Sequence, residues 1–253
     1  MTEFTSVEAA LQQPEAVRYV NLYGKGLADL PVELRQLPNL TKLSIRNNRL
    51  GTLPAWLPEL RSLALLDAGQ AQLTGLPPEI GGMARLTVLY LNDNRLTAVP
   101  PELARLSNLK YLNLDRNRLT AVPKELGALE NLKWLRLNGN RLTTLPVEIG
   151  ALQNLRRLYL QDNKLDTVPE CVSRLSGLTD LSLSRNRIAF LPGGILDLPL
   201  LERLDLERNK LKALPRDVGK FRNLKWLRLD GNPLSKEEKQ RVLQALPDCH
   251  IVF

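Results

Sequence analysis

The sequence predicts an α/β solenoid built from short stacked units, and three observations carry that prediction. Apolar anchors recur every 23 residues, at Val17, Leu40, Leu63, Leu86, Leu109, Leu132, Leu155, Leu178, Leu201 and Leu224. With the anchor as step 1, the same grammar runs along the array: apolar residues at steps 4, 6, 11 and 14, Asn at step 9 in eight of the ten units and Pro at step 15 in the first nine. Between steps 3 and 8 apolar and polar residues alternate, as in Tyr111-Leu112-Asn113-Leu114-Asp115. A fixed period of this size marks a repeat array, and the alternation marks a short strand with its leucines inward. Such a chain works through a long surface rather than a central pocket.

The elements follow in chain order. Residues 1–16 read as an amino-terminal helical cap: Thr5 with Glu8 forms a capping box for a helix to Gln13, halted by Pro14. Residues 17–234 hold ten units, each a strand, a turn, a helical or irregular return and a loop. Pro at step 15 suits the first position of a short helical turn, and Glu two residues on (Glu102, Glu125, Glu148) suits its amino end. Residues 235–253 read as a carboxy-terminal cap. Ser235 with Glu238 opens a helix that turns Val242, Leu243 and Leu246 inward and ends at Pro247, and Cys249–Phe253 adds a last strand. One domain spanning 1–253, capped at both ends, is the expectation, and the caps suggest a whole molecule.

One unit cannot stand alone, because the burial of its seven apolar side chains is matched by the entropy of ordering its backbone. Burial against neighbours tips the balance, so the array behaves as a nearest-neighbour stack. Asn at step 9 (Asn48, Asn94, Asn117, Asn140, Asn163, Asn186, Asn209 and Asn232) stands where the chain leaves the sheet. An amide both donates and accepts, so a column of such residues satisfies the peptide groups there. The third unit departs from the rule with Ala68 at step 6 and Ala71 at step 9, and the amide ladder is expected to break at Ala71. The first unit has Lys25 at step 9, at the rim.

Composition excludes several classes. No apolar run approaches the ~18 residues of a membrane span, and Met1–Gln13 lacks the apolar stretch of a secretory signal. Cys171 and Cys249 lie too far apart in a linear stack to bridge, which points to a reducing, cytoplasmic home; non-classical secretion or injection into another cell stays open. His250 is the single histidine and has no partner for acid–base or nucleophilic work. Neither cysteine has metal-ligand spacing, and no Gly-rich phosphate loop is present. The chain therefore reads as no enzyme, with no cofactor and no metal. The net charge of +8 favours acidic partners, although 27 acidic residues are interspersed with 35 basic ones.

This grammar, LxxLxLxxNxLxxLPxxL at a period of 23, resembles the leucine-rich repeat family over nearly the whole chain. The LP step and the Glu125-Leu126-Gly127 and Glu148-Ile149-Gly150 motifs are similar to the Ras-associated and bacterial cytoplasmic branches. Val7–Pro14 is similar to the amino-terminal caps of bacterial members. The resemblance implies a curved horseshoe with its parallel sheet on the concave face, short helical or irregular returns on the convex face, and a role chiefly in binding other proteins.

On that geometry the outward strand positions form columns. Step 3 carries Leu65, Val88, Tyr111 and Trp134 in four consecutive units, flanked at step 5 by Tyr90 and Tyr159. Adjacent strands stand about 5 Å apart, so these side chains form one apolar strip, and such strips mark contact surfaces. Arg136 has no acid in its own column. Tyr, Trp and Arg dominate interface energetics, so the candidate centre is Tyr90, Tyr111, Trp134, Arg136 and Tyr159, extended by Leu65 and Val88. Rings that merely cover the sheet and one another are the competing reading. Farther along, Asp180 beside Arg157 and Arg203, and Asp205 beside Arg228, read as structural charge pairs.

A row of cations runs along step 10: Arg49, Arg95, Arg118, Arg141, Lys164, Arg187 and Lys210. Like charges near 5 Å repel by about 0.8 kcal/mol per pair in water before salt screening, and nearby acids such as Asp93 and Asp162 offset this. The leading expectation is a monomeric, non-catalytic scaffold that binds a partner protein or peptide on its concave face. The alternatives are an electrostatic binder of an anionic polymer (nucleic acid or acidic glycan) or a bacterial factor engaging host proteins. Nucleic acid is the less favoured polymer, because no recognisable module accompanies the row.

Overall fold

The computed structural model describes residues 2–253. Twelve strands lie side by side in chain order in one parallel sheet. The ten units contribute three-residue strands from β2 (Tyr19–Asn21) and β3 (Lys42–Ser44) through β11 (Trp226–Arg228). The register is in step throughout, so residues 23 apart face each other: Tyr19 with Lys42, Val88 with Tyr111, Tyr111 with Trp134. The columns read from the sequence are therefore columns in space. The sheet lines the concave face of an open solenoid, as expected.

Between sheet and returns the leucines at steps 4, 6, 11 and 14 stack into one continuous core; Leu135, Leu137 and Leu142 of the sixth unit are fully buried. The returns are 3-10 turns of three to five residues, such as Pro101–Arg105 and Lys124–Ala128. Pro at step 15 does not occupy the first turn position. It caps it, because in an i→i+3 turn the first internal bond runs from the Leu103 N–H back to the Pro100 carbonyl at 3.1 Å. Gly127 is required where successive returns approach: a Cβ there would run into the Glu148 carbonyl.

The asparagine ladder forms as expected. In each rung Nδ2 donates to step-6 carbonyls of its own and the preceding unit, as from Asn140 to Leu137 and Leu114, both at 3.0 Å. Its Oδ1 accepts the step-11 N–H of the preceding unit, as from Leu119 at 3.1 Å. At Ala71 the run of amides is interrupted, as expected, but the peptide N–H groups on either side stay paired. The Leu50 N–H donates instead to the Ala71 carbonyl at 3.0 Å, and Asn94 accepts both the Ala71 and Leu73 N–H groups. This is possible because Gln72 adopts φ 57°, which swings the Ala71 carbonyl toward the preceding unit. A second ladder runs along the opposite edge, where the residue before the anchor donates to the preceding unit: Asn108 to the Ala84 carbonyl at 2.8 Å, Asn131 to Ser107 and Asn154 to Glu130, both at 2.9 Å.

The ends differ in detail from the sequence expectation. α1 (Val7–Leu11) is capped by Ser6, whose Oγ accepts the Ala9 N–H at 3.2 Å; Thr5 is not the cap. Ahead of it β1 (Glu3–Phe4) pairs with β2 and covers that sheet edge. α2 (Lys236–Ala245) is capped by Ser235, and β12 (His250–Val252) pairs with β11. Val242 and Leu246, four apart on one face, are buried, whereas Leu243 points to solvent at 45% exposure. Among the described residues no helix is long and apolar enough to cross a membrane.

Candidate functional site

The concave face is built from steps 3, 5 and 7 of each unit, because the alternation that sends Leu112, Leu135 and Leu158 into the core turns their neighbours outward. β5 (Val88–Tyr90), β6 (Tyr111–Asn113), β7 (Trp134–Arg136) and β8 (Arg157–Tyr159) carry the centre. The Tyr90 and Tyr111 rings lie 5.0 Å apart and Tyr111 and Trp134 5.5 Å apart, both tilted by about half a right angle (46° and 51°). Edge-tilted rings at such distances attract through their quadrupoles. Arg157 extends the run, its guanidinium 4.2 Å above the Trp134 ring, and Arg136 lies 5.2 Å from the Tyr159 ring.

Tyr90, Tyr111, Trp134, Arg136 and Tyr159 are thus brought into one surface, and Leu65 of β4 (Leu65–Asp67) and Val88 continue it toward the amino terminus. All seven are half-buried. The rings shield one another and still present their free faces. Burial raises the Tyr111 phenol, opposed by the charge of Arg136.

Arg136 is not the unpaired cation that its column suggested. Its Nε donates to Asp115 Oδ2 at 2.7 Å, and Asp115, nearly inaccessible, also accepts the Asn138 N–H at 2.7 Å. The acid sits at step 7 of the preceding unit, a column that sequence reasoning did not weigh. The same diagonal corrects the carboxy-terminal half. Arg228 pairs with Glu207 at 2.9 Å and Asp230 at 2.7 Å, while Asp205 accepts from Ser182 Oγ at 3.3 Å. Asp180 does hold Arg203, and Arg157 at 3.7 Å. Burial pushes the Asp180 carboxyl up, but hydrogen bonds from Arg203 and Thr179 and the neighbouring charges hold it net below its ordinary value.

Beyond Tyr159 the face opens into a hollow of about 400 Å³, lined by Arg136, Tyr159, Asp180, Ser182, Arg203 and Trp226, among others. Sequence reasoning treated this half as structural charge and missed the hollow. Its only sequence signal is the run of small or polar residues Asn138, Gln161 and Ser182 between large neighbours. At the other end side chains close over Gly69: a Cβ there would stand 2.9 Å from an Arg46 Nη, 3.1 Å from Asn92 Oδ1, which is buried without a partner, and 3.2 Å from Asp67 Oδ1. Burial raises the Asp67 carboxyl against the Gly69 N–H bond and the charge of Arg46. Across steps 3, 5 and 7 six basic side chains meet six acidic ones, so the face as a whole is neutral.

Among the described residues no group of three or more His, Cys, Asp or Glu could hold a metal ion. Cys171 is fully buried and its thiol is pushed up to about 12 by that burial, which keeps it protonated and unreactive at neutral pH.

A family model described as Leucine rich repeat matches residues 84–142, 130–188 and 176–234, and another described as Leucine Rich Repeat matches 39–60. Among solved structures, the chain resembles the ectodomain of the plant membrane receptor kinase GASSHO1/SCHENGEN3 from Arabidopsis thaliana, in complex with Casparian strip integrity factor 2. That likeness has a TM-score of 0.69 and 28% identity, over 89% of this chain and 31% of that one. The Toll–Spatzle complex of Drosophila matches at TM-score 0.79 and 24% identity, over 95% and 38% of the two chains. The functional domain of InlJ from Listeria monocytogenes matches at 0.77 and 24%, over 95% and 52%. The last two are likenesses of fold, and the chain spans between 31% and 52% of the length of the three. No curated protein sequence matches it.

Proposed function

The chain belongs to the leucine-rich repeat family, and from that premise we propose a non-catalytic interaction module that holds a partner protein or peptide against its concave sheet. One observation carries the reading: Tyr90, Tyr111 and Trp134 form an unbroken run of tilted rings, capped by Arg157, on a rigid sheet whose outward charges are balanced. Preformed aromatic surfaces gain binding energy at little entropic cost, since their rotamers are already restricted. The ridge suits apolar or aromatic side chains of an extended segment, and the hollow beyond Tyr159 suits a polar side chain. The likeness to a plant receptor ectodomain in complex with Casparian strip integrity factor 2 supports the reading. The two free thiols fit a reducing compartment, with export by a non-classical or injection route as the alternative.

The test is selection of peptides from a displayed library against the whole chain, followed by affinity measurement on Trp134→Ala combined with Tyr90→Ala. Arg136 is left in place, because its removal strands the buried Asp115 carboxylate. Selected peptides are expected to weaken at least about tenfold, the loss of roughly one hot-spot side chain, while the melting temperature changes little. Peptides that bind both proteins equally well would place the site elsewhere.

A further inference from the structure

The net charge of this protein is confined to one edge. Steps 8 to 13 of the first nine units, where the chain leaves the sheet, carry twelve Lys and Arg against four Asp, a surplus equal to the whole +8. The remaining residues carry 23 basic and 23 acidic side chains. Within that edge the seven step-10 cations are exposed, and among the described residues none has a carboxylate within 4.0 Å. Of the four acids, Asp93 is engaged by Arg116 and Arg46, whereas Asp162 and Asp166 flank Lys164 and dilute the row there.

The row is rigid. Asn at step 9 and Leu at step 11 point inward, so step 10 must point out, and its N–H is tied to the preceding unit: Arg95 to Leu73, Arg118 to Leu96 and Arg141 to Leu119, all at 2.8 Å. From Arg95 to Lys210 one cation stands on each of six consecutive units, a line of about 24 Å at the spacing of parallel strands. Step 12 points the same way and supplies an exposed hydroxyl beside each cation of the central stretch, at Thr97, Thr120 and Thr143.

We propose that this rim is a second binding surface, separate from the concave face, which takes an extended acidic glycan whose sugars bear carboxylate or sulfate groups. Guanidinium groups fit planar carboxylate and sulfate oxygens in bidentate fashion. The threonine hydroxyls match the hydroxyls of the sugars, and a regular spacing of cations matches a polymer with a regularly repeated charge. Nucleic acid fits less well: the only aromatic side chain on the rim is Phe190, so bases have no stacking platform.

The experiment measures binding of a heparin oligosaccharide to the whole chain across a series of salt concentrations, with single-stranded DNA of matched charge as the comparison. The parent is expected to bind heparin with an affinity that falls linearly in log salt and to bind the DNA more weakly. Arg95→Gln, Arg118→Gln and Arg141→Gln together should weaken heparin binding at least tenfold and reduce the salt slope by about 2, by analogy with the slope per neutralised phosphate. The corresponding triple Lys variant should keep the slope, and Trp134→Ala with Tyr90→Ala should leave heparin binding unchanged. The proposal is overturned by parental affinity in the triple Gln variant, by tighter binding of the DNA, or by loss of heparin binding in the concave-face variant.

Discussion

Step 8 is the residue on which each unit turns. Gly24, Asn47, Gln70, Asp93, Arg116, Gly139, Asp162, Arg185, Arg208 and Gly231 all take left-handed backbone, with φ between 51° and 73°. Only three of the ten are glycine, so the stack imposes a conformation that most side chains disfavour by about 1 kcal/mol or more. Where Asn is missing at step 9, step 10 becomes left-handed as well: Gly26 follows Lys25 and Gln72 follows Ala71. The peptide rotation at Gln72 therefore replaces the absent amide with a backbone carbonyl. Gln72→Gly relieves the strain and is expected to be neutral or to stabilise by up to about 1 kcal/mol. Lys164→Gly, at the same step with ordinary backbone, is expected to destabilise by about 0.5–1 kcal/mol. Urea denaturation of the two variants checks the contrast, and equal losses would refute the strain at Gln72.

The three-residue strand is the element that sorts side chains, yet ion pairing on it does not follow the columns. Arg136 reaches back to Asp115, and Arg228 to Glu207, because a long side chain at step 5 spans to step 7 of the preceding unit more readily than to a short acid beside it. Asp180, between Arg157 and Arg203, is the acid that pairs within its column. Its carboxyl lies below the ordinary value of 3.8 in the folded chain, so its stabilising contribution is complete above that value and is lost as pH falls through the lower, folded one. Asp180→Asn is therefore expected to reduce stability at about pH 7, with the gap to the parent closing as the pH falls below the ordinary carboxylate range. Denaturation midpoints at several pH values test this, and a gap that does not close would show that Asp180 acts through packing rather than charge. Asp67 has the opposite sign: burial raises it, so its contribution is present at low pH and lost as pH rises through its folded value.

At the scale of the whole molecule two asparagine ladders run along opposite edges of the stack and fix its pitch, while the leucines between them supply the burial. A rung inside the ladder is shielded on both sides; Asn140 is 7% exposed, whereas Asn232 at the carboxy-terminal end is only partly buried. Asn140→Ala leaves the buried Leu119 N–H without its partner and is expected to cost about 2–3 kcal/mol. Asn232→Ala is expected to cost less, because water reaches the groups it frees. Calorimetric melting of both variants measures the difference, and equal losses would mean that the ladder is not sealed from solvent in the middle. The same stacking separates charge: the concave face and returns balance, and the surplus gathers on the rim.

Much of this was legible in the linear chain. The period, the inward leucines, the strand columns and the step-9 ladder follow from local rules repeated ten times, which one unit already displays. The second ladder, Asn39, Asn108, Asn131, Asn154 and Asn223, was not legible, because an asparagine next to a loop carries no local signal until its acceptor is known. The Tyr111–Trp134 contact follows from the step-3 column, while the diagonal Tyr90–Tyr111 contact, the hollow beyond Tyr159 and the Asp115 partner of Arg136 do not.

Spacing along one chain was enough to specify the repeat, its parallel register and which side chains face outward. Tertiary structure alone decided which acid each arginine takes, how Ala71 is bridged, and that Leu243 stays in solvent. These depend on the reach of side chains and the rotation of peptides between units that are neighbours in space, a geometry that residue order does not contain.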